Sequence, residues 1–138
     1  VGGVPKAAEG TIEAPLARSA TNRKKIAIVE GRRGKRAVTR WKRVEVLKHA
    51  ALIECRLETG RTHQVRVHLA SIGHSLLGDP VYGGAGKIHG NVLKELRFQR
   101  QALHAAELGF THPITKCRLS FSSAMPPDMQ ELKRALGV

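Results

Sequence analysis

Residues 60–74 read GRTHQVRVHLASIGH, placing His63, His68 and His74 alongside Arg61 and Arg66. Imidazoles could bind a metal or serve a nucleophile as base, and guanidinium groups could grip phosphate or orient an acid. Metal binding fails on spacing. His63 and His68 fall about 140° apart around a helix, whereas a zinc pair wants positions i and i+4. His74, His104 and His112 add no ligand spacing. A phosphate-binding loop fails in GGAGKI, because Val81 stands where the motif needs glycine and Ile88 where it needs Ser or Thr. No nucleophile-elbow signature supports a Ser-His-Asp site. Cys55 and Cys117 lie far apart, in no metal or redox spacing, and read as reduced thiols. Only two aspartates exist: Asp79 in Gly-Asp-Pro reads as a turn residue, and Asp128 after Pro126-Pro127 as a helix-start residue.

The element that must hold these side chains is a helix with Thr62 as N-cap, running to Ile72 and stopped by Gly73. Val65, Leu69 and Ile72 share one stripe, while Val67 and Ala70 fall nearly opposite, so both faces can be covered. Arg66 projects between them. Burying that guanidinium without an anion would cost about 3–5 kcal/mol. Either it snorkels to water, or it orients an acid or grips a phosphate; spacing leaves both open.

Around this helix the pattern is mostly β. Thr11 to Leu16 is a short strand closed by Pro15, Lys25 to Val29 a short β-type run, and Ala37 to Leu47 a loosely alternating one after the turn GRRGK. His49 to Glu58 alternates well, with Ala51, Ile53, Cys55 and Leu57 on one face. A helix is expected near Val92 to Phe98. A hairpin follows from Leu103 to Phe110 and Cys117 to Ser122 with Pro113 in its turn, and PPDMQELKRAL forms a short final helix. Locally paired strands with intervening helices predict an α+β domain with a mixed, mainly antiparallel sheet and flanking short helices.

Charge narrows the function class. The 138 residues carry 24 Lys+Arg against 11 Asp+Glu, for a net charge of +13. From Arg18 to Arg43, a block that includes Arg23, Lys24 and Lys25, there are eleven basic residues and one acid, Glu30. Such a block repels itself unless a polyanion is near, which points to nucleic acid, although basic runs also occur as plain solvated faces. No amphipathic basic helix, lipidation signal or membrane-length apolar run argues for a membrane, and no signal peptide is evident. A cytoplasmic protein is expected. The opening VGGVPKAAEGTIEAP has no initiator Met and reads as if cut from a longer polypeptide.

The residues also carry a resemblance. LETGRTHQVRVHLASIGHSLLGDPVYGG (57–84) resembles the third motif region of the RluA/RluD-type ribosomal RNA pseudouridine synthases, departing at Ser75, where proline is usual. RQALHAAELGFTHPIT (100–115) and LSFSSAMPPDMQEL (119–132) resemble the segment closing that family's catalytic domain; GTIEAPL and GKRAVTRWKRV fit as well. The resemblance implies an isomerase without metal or cofactor that flips a uridine out of large-subunit ribosomal RNA. An aspartate attacks the nucleoside, and the base rotates and rejoins through carbon.

The family's aspartate lies in an Arg-Leu-Asp motif and its stacking tyrosine in a Lys-x-Tyr-x-Ala segment, both upstream of where this chain begins. Residues 1–138 are therefore expected to be the C-terminal portion of a catalytic domain, inactive alone, with the N-terminal half as a partner. Glu58 in CRLETG has Arg-Leu neighbours but belongs to the third motif, and Tyr82 belongs to the GDPVYG loop. By position, Arg66 matches the arginine that ion-pairs with the nucleophile, a partner the missing half would supply. Arg61, Thr62, His63 and Gln64 are placed to meet RNA at the helix start, with capping as the alternative for His63 and Gln64. Leu103 would line the base pocket. His68 and His104 stay undecided between core histidines and pocket walls. Strands left unpaired by a missing half would favour self-association. The competing reading is a basic RNA-binding module without chemistry.

Overall fold

A computed structural model describes residues 1–22, 24–83, 87–111 and 113–137. Strand β1 (Glu9–Glu13) ends before Pro15, and the chain re-enters as β2 (Leu16–Arg18), which pairs antiparallel with β3 (Ile26–Ile28). The expected single strand from Thr11 to Leu16 is thus two, because proline has no N–H for a ladder. After a 3-10 turn at Gly31–Arg33, β4 (Val38–Leu47) and β5 (Ala50–Leu57) form a long hairpin turning at Lys48 and His49, the latter in the left-handed region. The sheet order is β1-β4-β5, all antiparallel, with a bulge between Arg43 and Glu45. This bears out the α+β, mainly antiparallel expectation.

The alternation of β5 explains what lies on the sheet. Helix α1 (Gln64–Ser71) packs Val65 and Leu69 onto a cluster of Ile12, Trp41 and Leu76, fringed by Ile53 and Cys55. Its other side sends Val67 against Leu16 and Ala37, with Ile26 and Tyr82 alongside. Both faces of the helix are covered, as the spacing of its aliphatic residues requires. Gly73, at φ 85°, ends the turn where a side chain would be strained.

Helix α2 (Lys87–Glu95) starts earlier than expected, since His89 and Leu93, one turn apart, both face inward. It packs with α3 (Pro127–Ala135) around Leu47, Leu77, Phe98 and Leu132. Gly78 sits where an added Cβ would strike the carbonyl of Arg100, so segment 98–103 lies tight against Leu77 and Gly78. Strands β6 (Glu107–Thr111) and β7 (Arg118–Ser122) form a separate hairpin. No helix among the described residues is long and apolar enough to cross a membrane.

Candidate functional site

The loop that follows α1 folds back on it. Arg66 donates from Nε to Asp79 Oδ2 at 2.9 Å and from Nη2 to Asp79 Oδ1 at 2.8 Å, a two-pronged ion pair. The Asp79 side chain is 0% exposed and that of Arg66 11%. Asp79 Oδ1 also accepts the N–H groups of Val81 and Tyr82, at 2.9 and 3.2 Å, which is the turn role its sequence context suggested. The expectation that the carboxylate for Arg66 must come from outside this chain is corrected here. A carboxylate has lone pairs enough to close a turn and hold a guanidinium at once.

The electrostatics follow from that contact. Burial alone would push the Asp79 carboxyl up, but the Arg66 hydrogen bonds and the two backbone N–H groups outweigh it and hold the group below its usual range. The same Asp79 hydrogen bonds push Arg66 higher still, against the effect of burial. Arg66 also lies 5.1 Å above the Tyr82 ring centroid.

Tyr82 ties three segments together. Its hydroxyl accepts the Ile26 N–H at 2.8 Å and lies 2.8 Å from His63 Nδ1, with the two rings edge to face. Having accepted from Ile26, the phenol donates to Nδ1, so the neutral His63 carries its proton on Nε2. Burial first, then Arg66, lowers the His63 pKa below the usual 6.5, with Asp79 opposing. His63 occupies the N-cap position at φ 54° with no side-chain cap, so Thr62 is not the cap. The contact with Tyr82, rather than capping propensity, fixes this start.

Behind the helix start runs a closed polar chain. His68 is fully buried, and its Nε2 meets the carbonyl of Ala14 at 3.0 Å. A carbonyl only accepts, so Nε2 donates and Nδ1 accepts from the Thr39 hydroxyl at 2.7 Å. Thr39 Oγ1 in turn accepts from Gln64 Nε2, which also donates to the Val38 carbonyl. Gln64 Oε1 accepts from the Thr59 hydroxyl and the Arg61 N–H. Gln64 is 2% exposed and all its amide capacity is spent internally, so it is a structural residue and not an RNA contact. His68 is resolved as a core histidine.

Of the remaining candidates, Arg61 and Thr62 are exposed, and Arg61 Nε donates to the Arg36 carbonyl. Lys24 and Lys25 are exposed just before Ile26, so the Tyr82 bridge brings that basic loop to the start of α1. Arg23 lies outside the described residues. Leu103 is 37% exposed and held through another region, where Leu77 accepts the Ala102 N–H and Arg100 donates to the Leu103 carbonyl. His104 Nε2 lies 3.2 Å from the Ser123 carbonyl on the exposed hairpin. A cavity of about 750 Å3 beside Asp79 is lined by Leu76, Leu77, His89 and Phe98 but by none of residues 61–66. Sequence reasoning missed Tyr82, whose only signal was a phenol within reach of a histidine-rich helix start.

Comparison with known proteins agrees with this arrangement. A family model described as RNA pseudouridylate synthase matches residues 3–71, which takes in the sheet and α1. The chain belongs to the RNA pseudouridylate synthase family. It is 62% identical over 128 residues to ribosomal large subunit pseudouridine synthase D of Zymomonas mobilis, covering 93% of this chain and 40% of that protein. An uncharacterized RNA pseudouridine synthase of Chlorobaculum parvum is 47% identical over 141 residues, with 94% and 43% covered. The solved structure of human RNA pseudouridylate synthase domain containing 4 superposes with a TM-score of 0.70 at 25% identity, covering 97% of this chain and 58% of that one. The chain thus spans about two fifths of the length of these curated relatives.

Proposed function

We propose that the chain is the C-terminal part of a catalytic domain that isomerises uridine to pseudouridine in large-subunit ribosomal RNA, in the cytoplasm, and that it needs an N-terminal half for turnover. One observation carries the reading: the 62% identity to a ribosomal large subunit pseudouridine synthase D along 93% of this chain. Arg61, Thr62 and His63 at the helix start, with Arg23, Lys24 and Lys25 on the neighbouring loop, contact RNA phosphate or the flipped nucleotide. Leu103 lines the base pocket. Arg66 stays in the reading through Nη1, which no described residue takes; a carboxylate from the N-terminal half would meet that nitrogen. The unpaired strand edge also favours self-association of the lone chain.

The test is pseudouridine formation on ribosomal RNA, followed by mass labelling. The lone chain should yield no product, and addition of the N-terminal half should restore turnover. Robust turnover by the lone chain would overturn the division of labour. The exposed Lys24 and Lys25 in a block of eleven basic residues favour a second reading, an RNA-binding module without chemistry. RNA binding that persists while the reconstituted mixture makes no product would decide for it.

A further inference from the structure

The two edges of the main sheet differ in how they are guarded. β1 is five residues long, begins and ends with glutamate, and is stopped by Pro15. Short length, charge and proline all discourage further pairing. β5 is eight residues long and carries no proline. Its outer edge is partly used: the Val1 ammonium donates to the Ala51 carbonyl at 3.0 Å, and the Ala51 N–H donates back to Val1 at 3.1 Å. That reciprocal pair sets the parity of the edge. Ala51 turns its backbone groups away from β4, and by alternation so do Ile53, Cys55 and Leu57. The Glu58 N–H donating to Val38 confirms that even-numbered positions face β4. Among the described residues, β5 pairs with β4 alone on its other side.

The geometry points to a second copy of this chain as the occupant of that edge, with β5 pairing antiparallel to β5 across a twofold axis at Cys55. In this register Ile53 lies opposite Leu57 of the second copy, and Cys55 opposite Cys55, so all three outward residues form reciprocal hydrogen bonds. Charge selects it. Glu54 falls opposite Arg56 of the second copy, and Arg56 opposite Glu54, on the exposed face where the two already lie 3.2 Å apart within one chain. A slip that recentres the axis one residue back sets Glu54 against Glu54, and one residue forward sets Arg56 against Arg56. Like charges directly opposite are destabilising. On the inner face the pairing covers Leu57, which is 47% exposed, and the axis holds a neutral thiol, since burial pushes Cys55 up to about 11.

This inference gives residues and register to the self-association named above and is independent of the RNA chemistry, whose assay can fail with the dimer intact. Sedimentation equilibrium on the 138-residue chain should show a monomer–dimer equilibrium. Glu54→Arg alone and Arg56→Glu alone should each weaken the dimer by about tenfold or more, because each sets like charges face to face. An equimolar mixture of the two variants should pair as a heterodimer with near-original affinity, which also shows that both variants fold. A wild-type chain that stays monomeric overturns the proposal and leaves the edge to a strand of a longer polypeptide. Single variants that weaken the dimer without rescue on mixing overturn the register.

Discussion

Each of the two aspartates in the chain is held by an arginine using the same two nitrogens, yet the surroundings are opposite. Arg66 grips Asp79 at 2.9 and 2.8 Å, and Arg100 grips Asp128 at 3.0 and 2.9 Å. Both guanidinium groups also sit over an aromatic ring, Tyr82 at 5.1 Å and Phe98 at 5.2 Å. The side-chain exposures are 11% and 0% in the first pair, against 38% and 48% in the second. Matched geometry therefore says little about worth. In the buried pair each charge has given up water and depends on its partner, whereas in the exposed pair water stands ready to replace either one.

The largest effect should come from breaking the buried pair. Arg66→Met leaves the Asp79 carboxylate uncompensated and should cost about 3–5 kcal/mol in denaturant unfolding, while Arg66→Met with Asp79→Leu should recover most of that loss. If Arg66→Met costs no more than Arg100→Met, burial is not what separates the pairs.

Acid should separate them next. Asp79 is held below its ordinary 3.8 in the folded state, so its contribution is fully present above that value and is lost as pH falls through the lowered pKa. His63, also lowered, stays neutral when folded; its contribution is complete above about 6.5 and declines as the unfolded chain takes up the proton. Melting temperature against pH should therefore show a step below 6.5 that His63→Gln removes, and a second below 3.8 that Asp79→Asn diminishes.

Arg100→Met should give the smallest change. Asp128 is also held low by the Arg100 hydrogen bonds, but the pair is open to solvent. Its effect on unfolding should shrink further with added salt, and a loss as large as that of Arg66→Met would erase the distinction.

Much of the fold was legible because it rests on periodic burial. The odd-numbered face of β5 and the two covered faces of α1 follow from the spacing of aliphatic residues. What periodicity cannot encode is a partner across a turn. Arg66 and Asp79 are thirteen residues apart, and Gly-Asp-Pro announces a turn without announcing that the same carboxylate reaches a helix. The start of α1 misled for a related reason. Thr62 has the propensity to cap, but a phenol from residue 82 holds His63 there instead. Gln64 looked available to RNA because nothing local shows that Val38, Thr39 and Thr59 converge on its amide.

The phenolic oxygen of Tyr82 is a single-atom hinge pin between an imidazole and a backbone amide 37 residues earlier in the chain, at Ile26 and His63. Any tug on the lysine-bearing loop is transmitted to that oxygen, and from it to the side chain whose tautomer it sets. Docking a polyanion and choosing which ring nitrogen keeps its proton are thereby mechanically joined, and a phenylalanine there would uncouple them at a stroke.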